Sequence, residues 1–382
     1  MTEKKALNAD LLYYMFEAVN MHRWNDHLRT IDLTELDKQA HKAAISWILG
    51  KYEEDAGVKL DWEKLISHNL YSFISRLVLT DLKPQLYHRI VSDKAKEVNE
   101  YVLKEFLNKV PEAPDDFVDG LERYLNSDQR SKEDDISRAA HYLATRWEFN
   151  LIYPANRSMY GIEQTRVEID EQIFQHKDLA GVRKIMDDRS TFNIVDLIGQ
   201  LRFQQRWART PRMAPTTVLG HSLMVANMIY LSDLDNGAEP DQIYADHYTG
   251  LFHDLPEVLT KDVITPVKTS VGGLPKLLES YEHELIESKI TPLIPEGWRD
   301  ELRWMVYDPF VNDSNGRCTR RGTDIKACDN MAAFMEAHIS IRYGVSSKAL
   351  RDGEVEIRRK LEKNGEGIDA KGLIRSFDQM DI

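Results

Sequence analysis

Residues 243–260 read Ile-Tyr-Ala-Asp-His-Tyr-Thr-Gly-Leu-Phe-His-Asp-Leu-Pro-Glu-Val-Leu-Thr, and this stretch decides the interpretation of the whole chain. Apolar residues at helical spacing predict a helix here, namely Ile243, Tyr248, Leu251 and Phe252. The helix ends in His253-Asp254, so a single turn offers an imidazole nitrogen and a carboxylate oxygen. Glu257 follows Asp254 by about one helical turn and is expected to face the same cavity.

Two residues elsewhere in the chain extend this pair to a candidate set of metal ligands. His221 precedes His253 by 32 residues, on a helix predicted to start near Thr216 or Thr217, and Asp329 follows Asp254 by 75 residues on another helix. Two imidazoles and two carboxylates suit a divalent cation that keeps open positions for water and substrate. Taken singly, His221 could be a packed helix histidine and Asp329 a cap or a surface charge.

The composition is that of a soluble globular protein. The chain has 382 residues, 42% of them hydrophobic, and this length predicts two domains with cores of their own. The formal net charge of −13 argues against general binding to nucleic acid or to an anionic membrane. Two cysteines cannot form a disulfide framework, and no apolar run approaches the roughly 18 residues of a membrane span. A cytoplasmic protein is expected.

Helical spacing of apolar residues dominates the chain and predicts an all-α fold built from two similar halves. Arg23-Trp24 recurs as Arg206-Trp207 at an offset of 183, while His41 and Val78-Leu79-Thr80 recur at an offset of 180 as His221 and Val258-Leu259-Thr260. Three landmarks in one order favour an internal duplication over chance matches. The predicted boundaries are a first domain at 1–155, a linker at 156–190 and a second domain at 191–382, with Ser190-Thr191 as a helix cap.

The second half resembles the HD-domain metal phosphohydrolases, and within them the YfbR-like 5′-deoxynucleotidases. The resemblance covers about residues 191–345, and its most specific part runs from His253 to Lys268. Gly220 departs from the family, which often has Glu before the histidine. The matching motifs are Arg206-Trp207, Gly-His-Ser-Leu at 220–223, His253-Asp254, Glu257-Val258-Leu259-Thr260 with Asp262, Thr265-Pro266-Val267-Lys268 and Ile325-Lys326-Ala327-Cys328-Asp329.

The resemblance assigns a role to each matching residue. It implies that one divalent metal ion (manganese, cobalt, iron, zinc or nickel) is held by His221, His253, Asp254 and Asp329. It implies Glu257 as general acid/base, Asp262 as a residue that positions the attacking water, Arg206 as the phosphate ligand and Trp207 as a wall of the sugar pocket. Lys268 is a further cation expected near the substrate. Structural roles stay open for Glu257 in a first helical turn, Asp262 in a turn, Arg206 at a helix end and Trp207 in the core.

In the first half, apolar residues stand where the sequence spacing places the ligands. Phe73 and Ile74 match His253 and Asp254, Leu77 matches Glu257, and Ala140 matches Asp329, while His41 remains. One imidazole cannot hold a catalytic metal, so this half is predicted to be a degenerate HD-like domain. Because single-domain relatives resemble dimers, the two halves are expected to form a pseudo-dimer within one chain, either as a monomer or within a homo-oligomer.

The function implied is a metal-dependent phosphohydrolase that releases phosphate from (deoxy)nucleoside 5′-monophosphates. Its substrate partner is then a small nucleotide, without nucleic acid or membrane. Two alternatives stay open. One is hydrolysis of a nucleoside triphosphate or a cyclic phosphodiester, and the other is a catalytically silent nucleotide sensor or scaffold.

Overall fold

The computed structural model describes residues 4–80, 84–261 and 272–382, with the side chains of 84–92 left aside, and almost all of its regular structure is helical. The all-α prediction is therefore confirmed. The first half contains α1 (Ala9–Phe16), α2 (Glu35–Asp55), α3 (Trp62–Leu79), α4 (Pro84–Lys109), α5 (Asp115–Leu125) and α6 (Lys132–Asn156). A middle segment contains α7 (Ile162–Phe174), α8 (Ala180–Asp187) and α9 (Arg189–Gln200).

The described residues of the second half are also helical, apart from one two-stranded ribbon. Its helices are α10 (Val218–Asp235), α11 (Pro240–Phe252), α12 (Glu257–Thr260), α13 (Leu274–Leu285), α14 (Glu296–Val306), α15 (Gly322–Arg342), α16 (Lys348–Asn364) and α17 (Ala370–Gln379). The antiparallel ribbon joins β1 (Asp313–Ser314) to β2 (Thr319–Arg320), with Asp313 opposite Arg320. Short 3₁₀ turns lie at Glu17–Asn20, Leu201–Phe203, Thr291–Leu293 and Glu366–Ile368, and a π turn at Ile286–Ile290.

Helices α2 and α10 pack against each other at the centre of the molecule. Each begins at a threonine whose side chain accepts a hydrogen bond from the third residue of its helix: Thr34 from the amide of Asp37, and Thr217 from the amide of Gly220. Such N-caps satisfy an amide that the helix itself leaves unpaired. The predicted start of the His221 helix at Thr216 or Thr217 is therefore confirmed at Thr217.

The two helix starts meet at the carboxylate of Asp37. The hydroxyls of Thr34 and Thr217 both donate to it. A side chain at position 220 would place its Cβ 2.8 Å from Asp37 Oδ1, so this close approach requires glycine there. The departure at Gly220 is thus explained by packing between the halves.

Aromatic and polar contacts continue the interface along α2. Trp47 Nε1 donates to Tyr244 Oη over 2.9 Å, and Trp298 Nε1 donates to Asp55 over 3.0 Å. The Trp47 ring also packs edge-on against Phe252, the last residue of α11. The helix that leads to His253-Asp254 is therefore positioned partly by the first half.

The segment 156–190, predicted as a linker, folds into α7 and α8 and packs onto the first half. The amide of Ala180 at the start of α8 donates to Glu53 of α2 over 2.6 Å. The predicted cap at Ser190-Thr191 is wrong by two residues. Asp188 is the N-cap of α9, because its carboxylate accepts from the amides of Ser190 and Thr191. No helix within 4–80, 84–261 and 272–382 is long and apolar enough to cross a membrane.

Candidate metal centre

Three of the predicted ligands converge where the start of α10 meets the end of α11. His221 lies one turn inside α10, His253 caps the C-terminus of α11, and Asp254 follows directly. One donor atom from each lies within 4.8 Å of the other two. These are two imidazole nitrogens and a carboxylate oxygen, the donor types that a catalytic divalent metal uses.

The His253 ring is held with one nitrogen directed into this group. Its Nδ1 donates to the carbonyl oxygen of Gly250 over 2.8 Å, which directs Nε2 toward the other two side chains. Within the described residues Nε2 is buried and makes no hydrogen bond, although it lies 3.2 Å from Asp254 Oδ2. A buried nitrogen without a hydrogen bond beside a carboxylate fits a bound cation.

Asp329 borders the group from α15. Its Oδ1 lies 2.9 Å from His221 Nε2, and its Oδ2 accepts a hydrogen bond from Lys326 Nζ over 2.7 Å. Burial raises the pKa of this carboxyl, but Lys326 and His221 lower it more, so its pKa lies well below the usual value. Likewise, His253 and Arg206 hold the pKa of Asp254 below its usual value against the effect of burial. Both acids are ionised, as metal ligands must be.

Arg206 directs its guanidinium at the same acids. Its Nη1 lies 3.3 Å from Asp254 Oδ2, and its Nη2 lies 3.8 Å from Asp329 Oδ1. Burial alone would lower the pKa of Arg206, but the nearby carboxylates, Glu336 first and Glu257 among them, raise it above its ordinary value. Arg206 is therefore a fixed positive charge beside the metal group, not a solvated helix end.

Trp207 is held in place at both ends of its ring system. Its backbone adopts a φ of +55°, which is uncommon for a residue other than glycine. Its Nε1 donates to Glu336 over 2.8 Å, and its outer ring carbons lie against Gly353 of α16, where a Cβ would come within 2.8 Å. Helix α16 thus supports the tryptophan that was predicted to shape the sugar pocket.

Glu257 opens α12, one turn beyond Asp254. Its amide donates to the Asp254 carbonyl over 3.0 Å, and its carboxylate is among the charges that act on Arg206. Glu257 therefore lies in the first turn of a helix and also beside the candidate site. Asp262 and Lys268 lie outside the described residues.

Sequence reasoning missed Glu336, which ties the site together. Its Oε1 lies 3.2 Å from His221 Nδ1 and accepts from Thr216 over 2.7 Å, while its Oε2 accepts from Trp207. It gives His221 a carboxylate partner. The family often supplies that carboxylate from the residue before the histidine, where this chain has Gly220. The available signal was its spacing, because Glu336 follows Asp329 by seven residues and so shares its helix face.

Comparison with known proteins follows the same division of the chain. The HD domain family matches residues 198–358. A 5′-deoxynucleotidase of Klebsiella pneumoniae is 24% identical over 162 residues, which cover 42% of this chain and 78% of that protein. The 5′-deoxynucleotidase YfbR of Salmonella arizonae is 24% identical over 172 residues, which cover 44% and 83%.

A solved structure gives a weaker likeness. The crystal structure of an HD-domain phosphohydrolase from Listeria innocua matches with a TM-score of 0.41 and 19% identity, covering 48% of this chain and 85% of that one. The family match covers the part of the chain that carries His221, His253, Asp254 and Asp329. The second half of the chain is therefore an HD domain, homologous to the YfbR 5′-deoxynucleotidases.

Proposed function

We propose that this protein is a metal-dependent phosphomonoesterase that releases phosphate from (deoxy)nucleoside 5′-monophosphates. The observation that carries the proposal is the convergence of His221, His253 and Asp254 with the Arg206 guanidinium beside them. A metal group alone would serve many hydrolases. A buried arginine next to it adds the bidentate donor that suits a phosphate.

The metal would be held by His221, His253, Asp254 and Asp329. A divalent cation bound there supplies a lowered pKa for water and neutralises charge on the phosphoryl oxygens. The His253 ring is already oriented for this role through Gly250, and the His221 ring through Glu336. The donor set does not choose among manganese, cobalt, iron, zinc and nickel.

Arg206 binds the non-bridging phosphate oxygens in this proposal. Its guanidinium reaches both Asp254 and Asp329, so a phosphate placed at the metal group would contact it directly. Lys326 adds a second cation at the rim, where its ammonium bonds Asp329 and lies 4.1 Å from the centre of the Phe310 ring. These charges stabilise the extra negative charge that develops on the phosphoryl group.

Glu257 moves the proton. Water attacks phosphorus as the bond to the 5′ oxygen breaks, and the proton that water loses passes through the Glu257 carboxylate to that leaving oxygen. The carboxylate belongs to the charges around Arg206, within one turn of Asp254. Trp207, fixed between Glu336 and Gly353, forms the wall against the sugar and favours deoxyribose.

In this proposal, the domains at 1–155 and 191–382 are the two sides of a pseudo-dimer. Contacts of Asp37 with Thr217 and of Trp47 with Tyr244 and Phe252 support it. In this arrangement the first half buttresses the two helices that carry the metal group.

The test is phosphate release from deoxy- and ribonucleoside mono- and triphosphates, with manganese or cobalt and with chelator. We expect metal-dependent release from the 5′-deoxymonophosphates, reduced more than about 100-fold by Asp254→Asn, since even the loss of a ligand's hydrogen-bond partner costs about 10–100-fold. Asp241→Asn, an exposed residue in the first turn of α11, is the matched control.

The other outcomes change the proposal in definite ways. Phosphate release from triphosphates alone would make a nucleoside triphosphate the substrate. Equal phosphate release by the parent and by Asp254→Asn would show that the proposed metal group is not the catalytic site. A folded, metal-loaded protein that turns over no nucleotide would contradict the enzyme and favour the silent sensor or scaffold.

A further inference from the structure

The far end of the Trp207 ring lies against helix α16 at Gly353. A Cβ at position 353 would come within 2.8 Å of the ring carbons Cη2 and Cζ3. Beyond the backbone of α16 itself, these two carbons are the only atoms of the described residues that such a Cβ would approach within 4 Å. The glycine therefore makes room for this one ring.

The opposite edge of the ring is held by Glu336. Trp207 Nε1 donates to Oε2 of this carboxylate over 2.8 Å, while its Oε1 accepts from Thr216 and lies 3.2 Å from His221 Nδ1. The same buried carboxylate lies 3.5 Å from Arg206 Nε. The ring thus spans the distance from α16 to an acid that contacts both a proposed metal ligand and the proposed phosphate arginine.

Helix α16 is fastened to α15 and α17 next to this contact. Glu354, which follows Gly353, has its Oε1 3.4 Å from Nδ1 of His338 on α15. One turn further on, Arg358 donates to Glu354 and, through two nitrogens over 2.8 Å each, to Asp378 on α17. Because these contacts hold the helix backbone, an added methyl group at position 353 would displace the tryptophan ring rather than the helix.

The first half has a corresponding tryptophan with different neighbours. Trp24 shares the φ of +55° with Trp207, and its Nε1 donates to Glu148 over 3.0 Å. Its ring packs against the rings of His27 and Phe149, with centroids 5.5 and 5.8 Å away. The backbone conformation and the bond to a glutamate therefore belong to both halves. The contact with α16 is added in the half that carries the candidate metal group.

We propose that Gly353 is a positioning residue that sets, through the Trp207 ring, how well the sugar of the nucleotide fits. This inference rests on the proposed function, in which the ring is the wall against deoxyribose. The ring is only partly buried, so part of it is open to a ligand. Displacing it changes the fit of the sugar but leaves the metal group and Arg206 in place. Substrate binding should therefore suffer more than the chemical step.

The test is steady-state hydrolysis by Gly353→Ala, with Gly297→Ala as the matched control, since a Cβ at 297 meets open space. Alanine favours a helix more than glycine does, so a weakened helix cannot explain a loss. We expect KM for deoxyadenosine 5′-monophosphate to rise at least about fivefold, since misplacement by about 1 Å can cost about 100-fold. The kcat and the manganese content should stay unchanged, and the preference for this substrate over adenosine 5′-monophosphate should fall.

The position of the ring can be measured without activity. The chain has seven tryptophans, and a nitrogen-15 label on the indoles gives an N–H signal for each, with that of Trp207 identified by its loss in Trp207→Phe. Gly353→Ala should move this signal, because a displaced ring changes the bond to Glu336, and Gly297→Ala should not. In a Trp207→Phe background, Gly353→Ala should have no further effect on KM, since phenylalanine lacks the carbons that approach Cβ.

Each outcome supports or overturns the proposal. A moved indole signal together with a raised KM supports it. A KM equal to that of the parent overturns it and leaves the proposed function intact, and so does an indole signal that does not move. Loss of kcat, bound manganese and the circular dichroism of a folded chain in Gly353→Ala would make the glycine a purely structural residue. A parent chain that turns over no nucleotide is a separate result, which removes the proposed function and this inference with it.

Discussion

The two halves share a framework but differ in the charge that they enclose. Each has an Arg-Trp pair whose tryptophan has a positive φ, and each has a central helix capped by a threonine. In each, a buried glutamate accepts a hydrogen bond from the tryptophan. In the second half the enclosed groups are His221, Asp254 and Asp329, which call for a cation. In the first half they include Lys38 and Arg76 instead.

One local framework can therefore enclose different side chains. Lys38 lies four residues after the cap Thr34, as His221 lies four residues after the cap Thr217. The buried Nζ of Lys38 contacts His141 Nδ1. Among the described residues, the group of His221, His253 and Asp254 is the one set of three histidine, cysteine or acidic donors close enough to hold a metal.

The largest effect is expected when the second half is given the residue of the first. His221→Lys replaces a metal-binding nitrogen by an ammonium, so metal-dependent phosphate release should fall more than about 100-fold. Steady-state assays in manganese measure it, and His22→Lys at an exposed histidine is the control. Activity within threefold of the parent would show that His221 holds no metal.

Substitution of the two corresponding glutamates, Glu148 and Glu336, distinguishes a structural role from a role in metal binding. Glu148→Gln removes the carboxylate that Arg23 and Arg202 share, and Glu336→Gln removes one from Arg206 and Arg212. Each should lower the free energy of unfolding by about 3–5 kcal/mol. Glu336→Gln should also weaken metal affinity about 10–100-fold, because its partner His221 loses its carboxylate. Denaturant titration and metal titration measure the two effects. Equal metal affinity in both variants would reduce Glu336 to a framework residue.

The contact between the halves can be tested at Gly220. Gly220→Ala brings Cβ to 2.8 Å from Asp37 Oδ1, and we expect a loss of about 1–3 kcal/mol in the free energy of unfolding. Gly297→Ala is the matched control, since a Cβ there meets open space in the first turn of α14. If the Gly220→Ala protein were as stable as the parent, the helix starts at Thr34 and Thr217 could move apart without a loss of stability.

The smallest effect concerns the pH dependence of stability. The pKa of Lys42 is about 7 in the folded chain and near 10.4 when unfolded, so between these values the unfolded chain binds the extra proton. Stability should therefore rise with pH through this window, by at most about 1.4 kcal/mol per pH unit for this group. Urea unfolding at pH 8 and pH 9 in phosphate-free buffer should show a smaller rise in Lys42→Met. An unchanged rise would assign the slope to other groups.

Much of this could be predicted from the sequence, because it depends on local spacing. Helical periodicity gave the all-α class, the cap of α10 was predicted near Thr217, and the convergence of His221, His253 and Asp254 followed from their order. Glu336 was missed because an acid on a helix is common, and only the folded chain shows it bonded to His221 and Trp207.

The first half was harder to predict, for a physical reason. Matching His41 with His221 needs an offset of 180, whereas the caps and the Arg-Trp pairs fix 183, so the alignment by histidines slips by almost one turn. That slip concealed Lys38. The contact of Asp37 with Thr217 joins residues 180 apart, and no local pattern encodes it.

The most direct test of the central claim is the metal content of the purified chain. After dialysis against manganese and removal of the excess, inductively coupled plasma mass spectrometry should find one ion per chain, none in His221→Lys and one in Lys38→Met. Two ions per chain, or one that survives His221→Lys, would contradict an account in which the second half holds the metal and the first half holds cationic side chains in its place.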